Sequence, residues 1–136
     1  MSKYKFSKRS LRHLKNVEPL MIAIFTHALT HNDCPFDFGI PKTGGKRSAQ
    51  TQNELFHKGW SKLDGYTKKS YHQTGRAIDI YAYINGKLTY NKGVMTKLAN
   101  HIMKIAQDKY NTKLVWGGNW TTFVDLPHFQ VSKNQL

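Results

Sequence analysis

Two histidines and two aspartates hold most of the reactive chemistry in this chain. His72 and Asp79 are tied together in Ser70-Tyr71-His72-Gln73-Thr74-Gly75-Arg76-Ala77-Ile78-Asp79, across a turn and a short apolar run. Gly75 lets the chain swing round with no Cβ penalty. The following Arg76–Tyr83 stretch has the small, β-branched and aromatic character of a buried strand. This reading places His72 on a polar loop and takes the Asp79 carboxylate indoors. A buried carboxylate is costly unless it is paired or binds a metal. A metal needs a third ligand, and the best candidate is His128 in Asp125-Leu126-Pro127-His128-Phe129-Gln130. Two imidazole nitrogens and one carboxylate oxygen suit a single Zn²⁺ and leave a fourth position open for water, as in catalytic zinc sites. Asp125, just before His128, is placed to accept that water's proton, which is the arrangement hydrolysis needs.

Ser-x-His-x-x-Gly-x-Ala-x-Asp followed by a late Asp-x-Pro-His-Phe resembles the zinc peptidases of the VanY and D-alanyl-D-alanine carboxypeptidase type. Within them the chain is most similar to the phage endolysins that act as L-alanyl-D-glutamate peptidases. Gly45-Lys46-Arg47-Ser48 with Gln52 resembles the family's upstream Gly-x-Arg-Ser/Thr…Gln segment. Gly59-Trp60-Ser61-Lys62-Leu63-Asp64-Gly65 resembles its loop before the first histidine, and Trp116-Gly117-Gly118-Asn119-Trp120 its aromatic-glycine segment. The matched segments run in family order from about Arg47 to Gln130. Each piece alone is weak; the compound pattern is specific.

The resemblance implies a zinc peptidase that cuts the peptide stem of bacterial peptidoglycan, at the L-alanyl-D-glutamate bond. D-alanyl-D-alanine carboxypeptidase action is the competitor within the family, and the shared ligands do not separate the two. His72, Asp79 and His128 would hold the metal and Asp125 would be the base. Family members often carry Glu at that position, so the shorter Asp125 must reach within about 3 Å of the water. Arg47 would steady the oxyanion that develops on the scissile carbonyl, a contact typically worth a few kcal/mol; composition alone balances this against a surface salt bridge. Ser70 is open between hydrogen-bonding substrate and closing a turn, and Gln52 between orienting Arg47 and touching substrate. Trp116 and Trp120 would line the cleft, although tryptophans are more often core. The glycines beside Asn119 suggest a bend close to the substrate.

The net charge of +13 implies attraction to polyanions. Nucleic acid and the anionic polymers of a bacterial wall both qualify, so two non-catalytic readings are a nucleic-acid-binding protein and a wall-binding relative that has lost activity. The lysines form no dense arm, no nucleic-acid motif is present, and neither alternative accounts for the His/Asp pattern, so no nucleic acid is expected. Cys34 is the only cysteine, which excludes an internal disulfide and a Cys-rich zinc module; it reads as a spectator. No apolar run reaches the length of a membrane span, and the basic N-terminus lacks the apolar core of a secretory signal. The resemblance then implies a protein held in the host cytoplasm until a holin releases it to the wall.

At 136 residues the chain is expected to be one catalytic domain and a monomer, with no separate wall-binding domain. The elements that must position the site read as α+β, with helices flanking a small antiparallel sheet. A short helix is expected from Ser10 to Asn16, capped by Ser10 and with Leu11 and Leu14 on one face. A second begins near Pro19 and buries Leu20, Met21, Ile24, Phe25, Ala28 and Leu29. A strand within Phe36–Ile40 and a helix from Ser48 to about His57, with Leu55 and Phe56 inward, come next. Lys58 to Tyr71 reads as a long active-site loop. Asn85-Gly86 signals a tight turn, Lys92–Tyr110 an amphipathic helix, and Lys113–Trp116 and Leu126–Val131 two more strands. His27 and His31 read as surface or capping residues, His101 as lying toward the polar side of its helix, and His13 and His57 as ordinary histidines rather than ligands.

Overall fold

The computed structural model describes residues 4–136. Four helices, α1 (Lys8–His13), α2 (Pro19–Thr30), α3 (Ala49–His57) and α4 (Lys92–Tyr110), surround six short strands. The strands are β1 (Phe38–Gly39), β2 (Ala77–Asp79), β3 (Tyr81–Ile84), β4 (Lys87–Thr89), β5 (Val115–Trp116) and β6 (His128–Gln130). The class is α+β, as expected. The strands form two antiparallel sheets rather than one, ordered β1-β3-β4 and β2-β6-β5.

The division falls inside the segment read as one strand. Arg76–Tyr83 leaves the β2-β6-β5 sheet at Ile80, whose N–H donates to the Pro127 carbonyl at 3.0 Å, and enters the β1-β3-β4 sheet at Tyr81. Ile78, Ile80, Ala77 and Ala82 are all fully buried, so there is no alternation to mark the switch. Beyond it, Asn85 and Gly86 both take positive φ, 51° and 77°, and close a two-residue hairpin in which Ile84 faces Lys87. That is the backbone the Asn-Gly pair signals.

The two sheets share one core, and α2 is what joins them. Phe25 meets Phe38 of β1 edge-to-face at 6.4 Å and Phe129 of β6 at 5.4 Å. Such pairs stabilise by about 0.5–1.5 kcal/mol beyond the area they bury. From the other side, α4 buries Val94, Met95, Leu98, Ala99, Ile102, Ile105 and Ala106. It ends at Asn111 in the left-handed region, φ 48°. Cys34 lies in this core; burial pushes its thiol up to about 11 and its Sγ donates to the Phe36 carbonyl, so it is inert.

Three local expectations are corrected. Ser7, not Ser10, caps α1, accepting the Ser10 N–H at 3.1 Å. Ser10 is instead buried inside the helix, where its Oγ accepts the Ile40 N–H at 3.0 Å and satisfies a donor that has no strand partner. The helix stops at His13, leaving Leu11 53% exposed while Leu14 is buried. In α3, Ser48 caps as expected, but Gln52 shares the inner face with Leu55 and Phe56 turns outward.

Gly75 is where this framework sets the direction of the first histidine. It caps the 3-10 turn Tyr71–Thr74 at φ 73°, and a Cβ there would meet the Asn16 carbonyl at 2.8 Å and the Glu18 nitrogen at 3.2 Å. We expect Gly75→Ala to lower stability by about 1–3 kcal/mol, read by denaturant unfolding, because strain in φ and a backbone clash act together.

Candidate active site

Asp79 and His128 lie opposite each other in the β2–β6 ladder, so sheet register brings them together. His72 reaches them from the 3-10 turn immediately before β2. It is not on a polar loop but only 1% exposed, because Ser70 and Gln73 form a capping box around the turn. The segment 43–47 then wraps the site through its backbone. The Gly44 carbonyl accepts the Asp79 N–H at 2.8 Å, and the His72 carbonyl accepts the Arg47 N–H at 3.0 Å.

Both imidazoles have their tautomers set from outside. His72 Nδ1 lies 2.9 Å from the Gly45 carbonyl, which can only accept, so Nδ1 carries the hydrogen and Nε2 is bare. His128 Nε2 donates to Gln130 Oε1 at 2.7 Å and leaves Nδ1 bare. The two bare nitrogens are 3.2 Å apart, and each is 3.1 Å from Asp79 Oδ1. Three lone pairs therefore converge with no hydrogen of their own to hold them, a donor set that asks for a cation. Outward-facing hydrogen bonds of this kind are the usual support of metal-ligating imidazoles. Among the described residues, these three are the one group whose ligand atoms could share an ion.

The electrostatics agree. Burial works to raise the Asp79 carboxyl, but attraction to His72 and His128 in their protonated forms holds it well below the usual carboxylate range, so where no cation sits protons on those nitrogens take its place. Burial pushes His72 down. His128 rises against the cost of its own burial because the Asp79 carboxylate favours positive charge there. Arg47 supplies more, its Nη2 lying 3.0 Å from Asp79 Oδ2.

Asp125 stands at the lip of this cluster, its Oδ2 4.0 Å from His128 Nδ1. Burial first, then the charge of Asp79, raises its carboxyl to about 6, against the pull of His128 and Arg47. It is thus a carboxylate above about pH 6 and an acid below. Its position depends on Gly117, whose carbonyl accepts the Asp125 N–H at 3.0 Å. A Cβ on Gly117 would run into the Asp125 backbone, and one on Gly118 into the Trp116 indole. The Gly-Gly pair therefore serves close packing beneath the Asp125 loop.

These groups open into a cleft of about 680 Å³, lined by Arg47, Ser70, His72, Asp79, Trp120, Asp125 and His128, with other residues from the flanking loops. Trp120 packs on His128, ring centroids 5.2 Å apart. Ser70 lines the cleft, yet its hydroxyl accepts the His72 N–H at 3.2 Å as a cap. Gln52 is fully buried outside the cleft and orients Arg47, accepting from Nη1 at 2.9 Å while its amide donates to Ser61 Oγ and the Leu63 carbonyl. Trp116 is core, stacked on Phe129, with its indole N–H donating to the Leu126 carbonyl at 2.7 Å. Asn119 is exposed on a 3-10 turn and does not line the cleft.

The Lys58–Tyr71 loop lines the cleft as its sequence suggests, but sequence reasoning missed the opposite wall and the contact between the two. Lys62 sits over the Phe123 ring at 5.6 Å, linking loops from distant parts of the chain. Phe123 holds φ 52°, a strained value for an aromatic residue. Trp60 is 70% exposed beside them. The available signal was the pairing of exposed aromatics with lysines in glycine-flanked loops. Asp64 Oδ1 organises the first loop by accepting the N–H groups of Tyr66, Thr67 and Lys68.

A family model described as phage L-alanyl-D-glutamate peptidase matches residues 1–131. The L-alanyl-D-glutamate peptidase of Escherichia phage T5 is 31% identical over 122 residues, covering 90% of this chain and 85% of that protein. The crystal structure of the Serratia marcescens L-Ala D-Glu endopeptidase ChiX superposes with a TM-score of 0.79 at 28% identity, covering 94% of this chain and 90% of that one. With a matching fold over nearly its whole length and a peptidase-like cluster in its cleft, the chain belongs to the phage L-alanyl-D-glutamate peptidase family.

Proposed function

We propose that this peptidase is a zinc-dependent endolysin that hydrolyses the L-alanyl-D-glutamate bond of the peptidoglycan stem. The observation that carries the reading is the convergence of His72 Nε2, His128 Nδ1 and Asp79 Oδ1 beside a carboxyl raised to about 6. Those three atoms would hold one Zn²⁺, which would supply Lewis acidity toward the scissile carbonyl and lower the pKa of water toward about 7.

The chain's own groups do the rest. Asp125 takes the proton of the attacking water and returns it to the departing amine, a role suited to a carboxyl lifted toward neutrality. Arg47 keeps Asp79 ionised and aimed. Three of its five N–H bonds go to Thr43, Gln52 and Asp79, leaving two for an oxygen of the substrate as negative charge develops there. Trp120 and the Lys62–Phe123 pair wall the cleft and limit water. The +13 charge holds the enzyme against the anionic wall. Among the described residues no helix is long and apolar enough to cross a membrane. In the same reading the enzyme acts as a monomer and waits in the host cytoplasm for holin-assisted release.

Mass spectrometry of digested wall sacculi tests the bond. New N-terminal D-glutamate is expected, and loss of a terminal D-alanine would assign carboxypeptidase action instead. A chelator should abolish digestion and Zn²⁺ should restore it. His72→Ala and His128→Ala should lose metal and activity together, measured by metal analysis on the purified variants. Asp125→Asn should keep zinc while kcat falls by about 10²–10⁴-fold; near-normal turnover would remove Asp125 from the mechanism.

A further inference from the structure

Two cations line the cleft with no anion of their own. Arg47 is engaged with Asp79, but Lys62 and Lys69 make no ion pair among the described residues. The acids of the lining are Asp79 and Asp125, both of them at the reacting centre.

Lys62 differs from Lys69 in being held. Gln52, fully buried, donates from its amide to Ser61 Oγ at 2.8 Å and to the Leu63 carbonyl at 2.9 Å, one residue to either side of Lys62. The Leu63 N–H closes the turn on Ser61 Oγ at 3.2 Å. Because the same Gln52 accepts from Arg47 Nη1, the backbone of Lys62 is fixed relative to the reacting groups. At its far end the ammonium stands 5.6 Å from the Phe123 ring centroid, across the cleft mouth. A lysine side chain normally keeps much of its rotamer freedom; this one has a fixed neighbour at both ends.

The wall it reaches decides what it can meet. Phe123 lies two residues before Asp125, the group that returns a proton to the departing amine in the reading above. The D-glutamate that carries this amine therefore lies toward Phe123 and Lys62. A glutamate built into a chain uses one carboxyl for its amide linkage and keeps the other free. Beside Asp79 and Asp125 that spare carboxylate would face two like charges, which an ammonium on the same wall offsets. We propose that Lys62 is a specificity residue that reads the spare carboxylate of the D-glutamate, an inference that rests on the L-alanyl-D-glutamate assignment. The enzyme then prefers stems in which this group is a free acid. A primary amide keeps one acceptor for the ammonium but brings no charge, and its N–H groups find no acceptor on a lysine.

The test uses the full-length protein supplied with Zn²⁺ and two synthetic stem peptides that differ only in that carboxyl, free or as its primary amide. Cleavage is followed by mass spectrometry. Wild type should cut the acid with a kcat/KM about tenfold or more above that of the amide. Lys62→Met keeps an unbranched stem against Phe123 and should lower the acid's kcat/KM far more than the amide's, bringing the two toward parity. Lys62→Arg should restore most of the preference, and Lys69→Met should retain it. Equal cleavage of the two peptides by wild type, an equal loss on both in Lys62→Met, or a preference that disappears with Lys69→Met instead would each overturn the proposal and leave the bond assignment standing. Cleavage of both peptides at another bond would overturn that assignment and the proposal with it.

Discussion

The carboxylate of Asp79 is the charge around which the chain has had to arrange itself. It is only 15% exposed and stays ionised, with Arg47 on one oxygen and both catalytic-cleft imidazoles on the other. Removing one partner of a buried charge typically costs about 3–5 kcal/mol, since the other is left uncompensated. Each partner is accordingly fixed from a different direction. Strand register fixes His128, a capped 3-10 turn fixes His72, and Gln52 with the Thr43 carbonyl fixes Arg47. Gln52 is buried without a polar atom left over, so it serves the site without touching the cleft.

Two aspartates beside the same histidine end up with opposite tendencies, and environment alone separates them. Asp79, surrounded by donors and positive charge, is driven down; Asp125, short of partners and facing Asp79, is driven up to about 6. Carboxyls pushed apart in this way are suited to divide their labour, one to hold positive charge and the other to exchange protons.

The three residues that converge in the cleft were legible because each sits in a dense local motif whose chemistry has few other uses: a histidine after a polar turn, and an aspartate inside an apolar strand. What the sequence could not convey was the choice of partner. Ser7 and Ser10 are both good caps, and only the unpaired Ile40 N–H in the fold decides between them. Trp116 and Trp120 look alike in a glycine-rich stretch, yet the first stacks in the core and the second reaches His128. The switch between sheets at Ile80 was invisible because burial on both faces erases the two-residue period. The pairing of Lys62 with Phe123 was missed because the two meet only after the loops have been placed by tertiary contacts.

The break at Ile80 also divides the labour of the molecule. Asp79 and His128 belong to β2 and β6, and no residue of the β3–β4 hairpin lines the cleft. The hairpin tip, Asn85-Gly86, has open space around its glycine and contributes nothing to the reacting groups. Exposed tips of this kind are where proteins best accept inserted sequence. The fold thus offers a grafting point at which a targeting peptide or a fused module could be carried while the chemistry on the other sheet goes on undisturbed.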